Sequence, residues 1–471
     1  MSLTDSWDII SELPRPILLR FLRRLVSQLP DEQVLAIITD MKISSKKKHS
    51  GPDWKIAPRR HVAIAVCYDG TEYAGLAYQT DEYTVENTFM SALKAGNLIP
   101  PDATQADIHF ERSGRTDKGV SCAMQIFSLY VLTRSQHGLV GDLPNPDPRF
   151  YRDRRDGSEP PCKISSGGDD TSNEIDYTLL LNSKLPSTIR VLGWCPVDAN
   201  FSARHSAKSR TYRYVLGPVG TLNVARMAEA CTALIGHHDY RNVCKPVISN
   251  VITFERQILE CALEIDGSPY STLKQANDDN ISIAPDGMLV LVVRGTAFLY
   301  HQIRCIASLL LHIGAELEPP TVINDLLDVE KLPGKPDYPI APGELLLLKE
   351  VEYTPTRLPN LIFTSASVGY LRRNIHFLAS RAYARYELYK NVLAQLPEGA
   401  PPQPHENPLV VQTLTHRMTD SYEHYFENGL RLTRIGRFKR ICSRPYDAEF
   451  PRKLSQRQRE TEAYTAQFKE E

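Results

Sequence analysis

The chain has 471 residues, 42% of them hydrophobic, and a formal net charge of −1. That length holds roughly two to three domain-sized units with substantial cores. Its longest apolar runs, such as Met288–Val293 and Ile306–Leu311, fall far short of the roughly 20 residues that cross a bilayer, which excludes a membrane helix.

Asp5, Asp8 and Glu12 precede the first basic residue, the wrong order for a secretory signal and too acidic for a transit peptide, which predicts a cytoplasmic or nuclear protein. Nine cysteines are scattered without a Cys-x-x-Cys pair, so neither a disulfide framework nor a structural zinc site is indicated, and no metal or cofactor is expected. The charge is unevenly spread. Residues 431–459 carry ten Lys/Arg against two acids, and residues 1–60 eleven against seven. Such runs are either solvated tails or a sequence-independent grip on phosphates.

Residues 1–58 read as an appendage: an amphipathic basic helix over Ile17–Val26, a second short helix after Pro30, and a linker from Lys46-Lys47-Lys48 to Pro58. The compact part opens with a strand at His61–Tyr68, a turn at Asp69-Gly70 and a helix at Thr84–Lys94. A short strand is predicted at Ala106–Phe110 and a long one at Ser121–Leu132. Residues 135–174, rich in Pro, Gly, Asp, Arg and Ser without a hydrophobic period, read as a disordered surface insertion. Order returns at Tyr177–Leu185, followed by strands at Thr188–Trp194 and Thr211–Leu216.

Beyond these come a helix at Asn223–Ile235, strands at Glu255–Ile265 and Met288–Gly295, a helix at Leu299–Ile313, a short helix at Thr321–Leu327 and a strand at Glu344–Tyr353. The order strand, helix, strand, strand, helix, strand can be drawn twice. This predicts an α+β fold of two similar half-domains, residues 59–220 and 221–355, sharing a mainly antiparallel sheet flanked by helices. Residues 356–471 form a helical extension, Tyr370–Leu396 and Thr415–Leu430, that ends in the basic tail.

The segment Glu111-Arg-Ser-Gly-Arg-Thr-Asp-Lys-Gly-Val120 sets one carboxylate, Asp117, among Arg112, Arg115 and Lys118 in a turn between two strands. Gly114 and Gly119 allow tight backbone geometry at both ends, and Arg115 can brace the Asp with two parallel hydrogen bonds. Either the turn only balances charge, or it holds an ionised Asp as a nucleophile beside a cationic surface. In Ser209-Arg-Thr-Tyr-Arg-Tyr214, Tyr212 and Tyr214 share one face of a strand, either as paired core aromatics or with one ring open to stack on a base. Phe298-Leu-Tyr-His-Gln-Ile-Arg304 opens a helix with Arg304 on its first turn, a solvated or salt-bridged cation if taken alone.

Together these motifs, with Asn200-Phe-Ser-Ala-Arg-His205 and Gly236-His-His-Asp-Tyr-Arg-Asn-Val-Cys-Lys245, resemble in order and spacing the TruA family of tRNA pseudouridine synthases over residues 60–355. Lys118-Gly119-Val120-Ser121, His301-Gln-Ile-Arg-Cys-Ile306 and Lys335-Pro-Asp-Tyr338 are similar to the eukaryotic branch acting on tRNA uridines 38 and 39, as is Thr415–Leu430. The resemblance implies the pseudouridine synthase fold, a homodimer, and a cofactor-independent isomerase acting on the tRNA anticodon stem-loop. Asp117 would be the nucleophile, with Arg115 orienting it and helping to hold the target nucleotide out of its stack. Tyr212 would pack on the uracil and assist proton removal at C5, and Arg304 would be a second cation near the Asp. Arg112, Lys118 and Arg204 would contact the RNA, and the basic tail and Lys46–Lys48 would grip phosphates. The chain departs from the family pattern at His205, and at Gly75-Leu76-Ala77, which lacks the tryptophan common in bacterial relatives.

Other readings of the same residues are a Glu111/Asp117 carboxylate pair that cleaves a glycosidic bond, half of a zinc-deaminase signature in His109-Phe-Glu111, and a non-catalytic tRNA-binding protein or chaperone.

Overall fold

The computed structural model describes residues 52–135, 139–140, 143, 173–220, 222–247, 253–276, 287–397, 440–447 and 450–467. The predicted helices at Ile17–Val26 and Thr415–Leu430, the Lys46–Lys48 linker and most of the 135–174 insertion lie outside the described residues. The base of the insertion does not. The Glu174 carboxylate accepts from Arg60 (2.9 Å), from the Arg134 backbone N–H (2.9 Å) and from the Thr133 hydroxyl, so the chain is pinned where it re-enters the body.

β1 (Arg59–Tyr68) is a run of β-branched and small residues buried on both faces, as a central strand requires. It lies between β3 (Ser121–Leu132) and β4 (Ile189–Pro196), antiparallel to both. Helix α1 (Val85–Ala95) starts where the Thr84 hydroxyl accepts from Asn87 N, and its apolar face buries Phe89 and Leu93. The segment predicted as a strand at Ala106–Phe110 is instead a 3-10 turn at Ala106–Ile108, with His109 in the left-handed region at φ 48°. Local bonds His109 N–H to Ala106 O and Phe110 N–H to Gln105 O close that turn. Alternating Ile108 and Phe110 therefore reach the core from a turn, and the strand β2 is only Glu111–Arg112.

After α2 (Tyr177–Asn182) and β4, β5 (Ala207–Pro218) completes the first half. The second contains α3 (Val224–Ala233), β6 (Gly236–Asp239), β7 (Glu255–Ile265), the short hairpin strand β8 (Ser268–Pro269), α4 (Tyr270–Ala276), β9 (Met288–Gly295), α5 (Gln302–Gly314), α6 (Val322–Leu327) and β10 (Leu346–Tyr353). β6 was not predicted because Gly-His-His-Asp has neither alternation nor β-branched residues.

The sheet order is β4-β1-β3-β10-β5-β9-β7-β6. Every described ladder is antiparallel except β3 with β10, which are parallel at Leu347↔Ser121 and Leu348↔Cys122. Each half lends its last strand to the middle. β5 of the first half pairs with β9, and β10 of the second lies between β3 and β5. The two halves are consecutive in sequence but are interleaved in space. One large core, including Phe89, Phe127, Tyr214 and Leu309, runs under both. A smaller cluster on the other face uses Ala63, Ala65 and Ala203, whose short side chains let the 198–206 segment lie close to the strands.

Past β10, α7 (Ser365–Gln395) has a capping box at Thr364 and Ser367 and is anchored through its first turns, where Leu371 is buried. Part of the predicted basic tail is docked rather than free. Arg440 donates to Leu317 O, Ile441 N–H donates to the Glu318 carboxylate, and α8 (Phe450–Gln467) sets Phe450 edge-on to Phe254. No helix among the described residues is long and apolar enough to cross a membrane.

Candidate active site

Three elements meet where the exchanged strands cross the middle of the sheet: the turn entering β3, the strand β5, and the first turn of α5. The turn is held rigidly from below. The Thr116 hydroxyl bonds the Tyr68 phenol (2.8 Å), the Thr116 carbonyl accepts from Leu76 N–H (3.1 Å), and Gly119 takes φ +79°, a backbone conformation that a side chain would strain. Leu76, fully buried, therefore braces the turn through the very segment that departs from the bacterial pattern. The loop before β10 closes the turn from the second half. A Cβ on Gly343 would stand 2.5 Å from the Lys118 carbonyl, so only glycine permits that approach.

Asp117 is left partly exposed, at 23% of its side chain. Its Oδ2 lies 3.6 Å from Arg304 Nη1 and 3.4 Å from His301 Nε2, both from α5. Arg304 is 3% exposed and is locked in turn. Its Nε donates to the Ala341 carbonyl at 2.7 Å, and the Ala341 N–H donates back to the Arg304 carbonyl at 3.2 Å. A guanidinium buried beside one carboxylate balances the charge of that carboxylate.

The cation against Asp117 is therefore Arg304 and not Arg115. Arg115 is exposed and makes no ion pair with the Asp two residues on. The turn directs adjacent side chains apart, so sequence neighbours do not become spatial partners. Arg112 also departs from expectation. Its Nε sits 2.6 Å from Glu86 Oε1, and Glu86 is completely buried on α1. Burial pushes the Glu86 carboxyl up, with Arg112 pulling the other way, so Arg112 is committed to neutralising an interior charge. Lys118 and Arg204 are exposed on the surface around the turn, as is His205.

Tyr212 on β5 is 9% exposed and meets Phe298 edge-on at 5.3 Å. Burial raises its phenol well above the usual value, with Cys122 adding to the shift, so the ring stands at the site as a neutral phenol. Tyr214, on the same face, is fully buried and donates to the Pro342 carbonyl at 2.9 Å, which makes it a strut for the β10 loop. Arg213 points the other way to Glu264, as the strand period requires.

Two contributors were not singled out from the sequence. Arg210 is two residues before Tyr212 on β5. It donates to the carbonyls of Ser113 (2.9 Å), Arg204 (2.6 Å) and Thr296 (2.8 Å), tying the three motif segments together. His301 stands one helical turn before Arg304. The i, i+3 spacing of two polar side chains at a helix start was the available signal.

Glu111 is not part of this constellation. Its carboxylate accepts from the Ser202 hydroxyl and lines a separate cavity of about 460 Å³ with His61, His109, Tyr130 and Phe201. Asp117 does not line that cavity, so the two carboxylates are not placed as an acid–base pair across one site.

Residues 230–354, which include His301 and Arg304, match the family model described as tRNA pseudouridine synthase. The chain is 35% identical over 322 residues to the mouse (Mus musculus) tRNA pseudouridine(38/39) synthase, covering 68% of this chain and 61% of that one. It is 36% identical over 303 residues to the human (Homo sapiens) protein of the same name, covering 64% and 57%. A Caenorhabditis elegans protein described as a probable tRNA pseudouridine synthase is 34% identical over 312 residues, covering 65% and 70%. The chain thus spans about three fifths of the length of its mouse and human relatives. With the motifs in order, the α+β sheet of interleaved halves and these matches, the chain belongs to the TruA family of tRNA pseudouridine synthases.

Proposed function

We propose that this protein isomerises uridine to pseudouridine in the anticodon stem-loop of tRNA, at the positions 38 and 39 named for its mammalian relatives. The observation that carries the proposal is the convergence of Arg304 and His301 from one half on Oδ2 of Asp117 from the other. The Asp117 carboxylate attacks the target nucleotide. The uracil detaches at N1, turns over and rejoins the ribose through C5, which releases Asp117; the C5 proton is lost and N1 takes one up, so the mass is unchanged. A covalent intermediate divides this rearrangement into easier steps. Contacts of 3.4 and 3.6 Å are long for hydrogen bonds, and substrate closure would shorten them.

Arg304 balances the charge of the Asp117 carboxylate. Tyr212, with Phe298 at its edge, offers a flat neutral face to the flipped base. Its raised pKa disfavours direct proton removal by a phenolate at neutral pH, so its part is packing. Arg115, exposed beside the turn, reaches toward the RNA and holds the displaced nucleotide, while Lys118 and Arg204 contact phosphates.

We also propose that the protein acts as a homodimer. The outer length of α7 supports this. Ile375, Leu378, Ala382, Tyr389 and Val392 recur at spacings of three and four along it, broken at Arg385, and Tyr389 and Val392 are 66% and 47% exposed.

The test is to map pseudouridines in total tRNA by carbodiimide-stopped reverse transcription, in cells holding only the wild-type chain or only Asp117→Ala. Anticodon-arm signals that vanish with the variant support the reading. Signals that persist overturn it, and tRNA binding without product in the wild type would favour a binding module.

A further inference from the structure

His301 takes no part in the chemistry assigned above, yet the fold invests in its placement. It occupies the position before the first residue of α5 with φ 59° and ψ 13°, a left-handed conformation that costs a non-glycine residue about 1 kcal/mol. Its side chain is 4% exposed. Its Nδ1 is buried without a hydrogen-bond partner among the described residues, a further cost of about 1–3 kcal/mol. Both penalties go to holding Nε2 against Asp117.

Nε2 lies 3.4 Å from Asp117 Oδ2 and 3.4 Å from Arg304 Nη1. These contacts exclude one another as hydrogen bonds. Arg304 has only donors, so a bond from it needs a bare Nε2, whereas a bond to the carboxylate needs Nε2–H. Arg304 spends Nε on the Ala341 carbonyl, and its Nη1 makes a long hydrogen-bond contact with Nε2 while standing 3.6 Å from Oδ2. A bond to an ionised acceptor is roughly twice as strong as a neutral one, which favours Nε2–H on Asp117.

We propose that His301 is a positioning residue for the reaction: a neutral Nε2–H donor that orients the Asp117 carboxylate while Arg304 alone supplies the positive charge. A second cation on the same oxygen would hold the carboxylate more tightly and weaken it as a nucleophile. A neutral donor sets its direction without that loss. The surroundings enforce neutrality. Burial first, then the Arg304 and Lys245 charges, push the imidazole down to about 3. Lys245 lies over the Tyr300 ring, which packs on His301 with centroids 3.8 Å apart, so a further proton on the imidazole would meet two cations.

This inference rests on the function proposed above, and two arms separate their failures. In the first, single-turnover pseudouridine formation and tRNA dissociation constants are compared for wild type, His301→Gln and His301→Leu. Gln places an amide donor near the position of Nε2, and both replacements meet the same left-handed backbone. The Leu variant is expected to slow the chemical step ~100-fold with the dissociation constant within ~3-fold, and Gln to recover to within ~10-fold of wild type. Equal losses in both variants, or dissociation constants that rise in step with the rate loss, would overturn it in favour of a purely structural role.

In the second arm, the nitrogen-labelled imidazole of His301 is read by NMR without substrate. The spectrum should show Nε2 protonated and Nδ1 bare from about pH 7.5 to about pH 5, with the Nε2–H signal moved by Asp117→Ala. A Nδ1-protonated or cationic ring overturns the inference whatever the activity. A wild type that makes no pseudouridine sinks the proposed function instead, and leaves this arm to judge the contact.

Discussion

Arg304 Nη1 and Asp117 Oδ2 stand 3.6 Å apart although they come from opposite halves of the chain, and the arginine is pinned by the loop that leads into the exchanged strand β10. Asp117 is thus held by a residue whose position depends on the sheet being fully assembled. Arg304→Lys keeps the charge but loses the planar fork that serves Ala341 and Asp117 together. It is expected to slow single-turnover pseudouridine formation by ~100-fold or more while tRNA binding changes by less than ~5-fold. An unchanged rate would refute this role.

Arg112 and Glu86 make the opposite case. Removing only the arginine strands a buried carboxylate, so Arg112→Met should cost about 3–5 kcal/mol in urea unfolding, and Arg112→Met with Glu86→Leu should regain most of it. If the single variant instead keeps its stability and loses tRNA affinity, Arg112 is an RNA contact after all.

The exposed cations should behave as simple phosphate contacts. Replacing Lys118 or Arg204 by Gln is expected to leave the melting temperature unchanged, and to reduce the slope of log K against log salt by about one per residue. Filter binding across a salt series decides this.

Tyr212→Phe separates ring from hydroxyl. With the phenol held protonated by burial, the Phe variant should keep activity to within ~10-fold, whereas Tyr212→Ala, which removes the packing face, should lose ~100-fold or more. Abolished activity in Tyr212→Phe would restore the hydroxyl to the mechanism.

Acid should destabilise the fold through its buried neutral histidines. His61, pushed down to about 4 by burial, and His301, pushed down to about 3, both sit below the ordinary value of 6.5. Because the unfolded chain binds these protons first, stability is complete above about pH 6.5. It falls below that value by up to about 1.4 kcal/mol per histidine per pH unit, until each folded pKa is reached. Urea midpoints between about pH 7 and pH 4.5 measure this, and His61→Phe should flatten the slope by one histidine's share.

Long strands and helices were legible because their patterns are local. Ser121–Leu132, Glu255–Ile265 and Met288–Gly295 were predicted to within a residue of their observed bounds. Ala106–Phe110 was misread because alternating apolar residues look the same on a strand and on a turn that dips into the core. The motifs pointed to Asp117, Tyr212 and Arg304 as one site, and the tertiary contacts bring Arg304 against Asp117. The cation that braces the Asp was misassigned to Arg115, since spacing along a chain does not say which way a turn throws its side chains.

The sequence by itself determined the element types, the α+β class and the family, because periodicity, turn residues and ordered motifs are one-dimensional properties. Only the tertiary structure decided that the halves exchange strands, that Arg112 serves Glu86, and that Arg304 and His301 flank Asp117. Each is a contact between residues far apart in the chain, and its energy comes from burial and charge pairing that exist only once the sheet has closed.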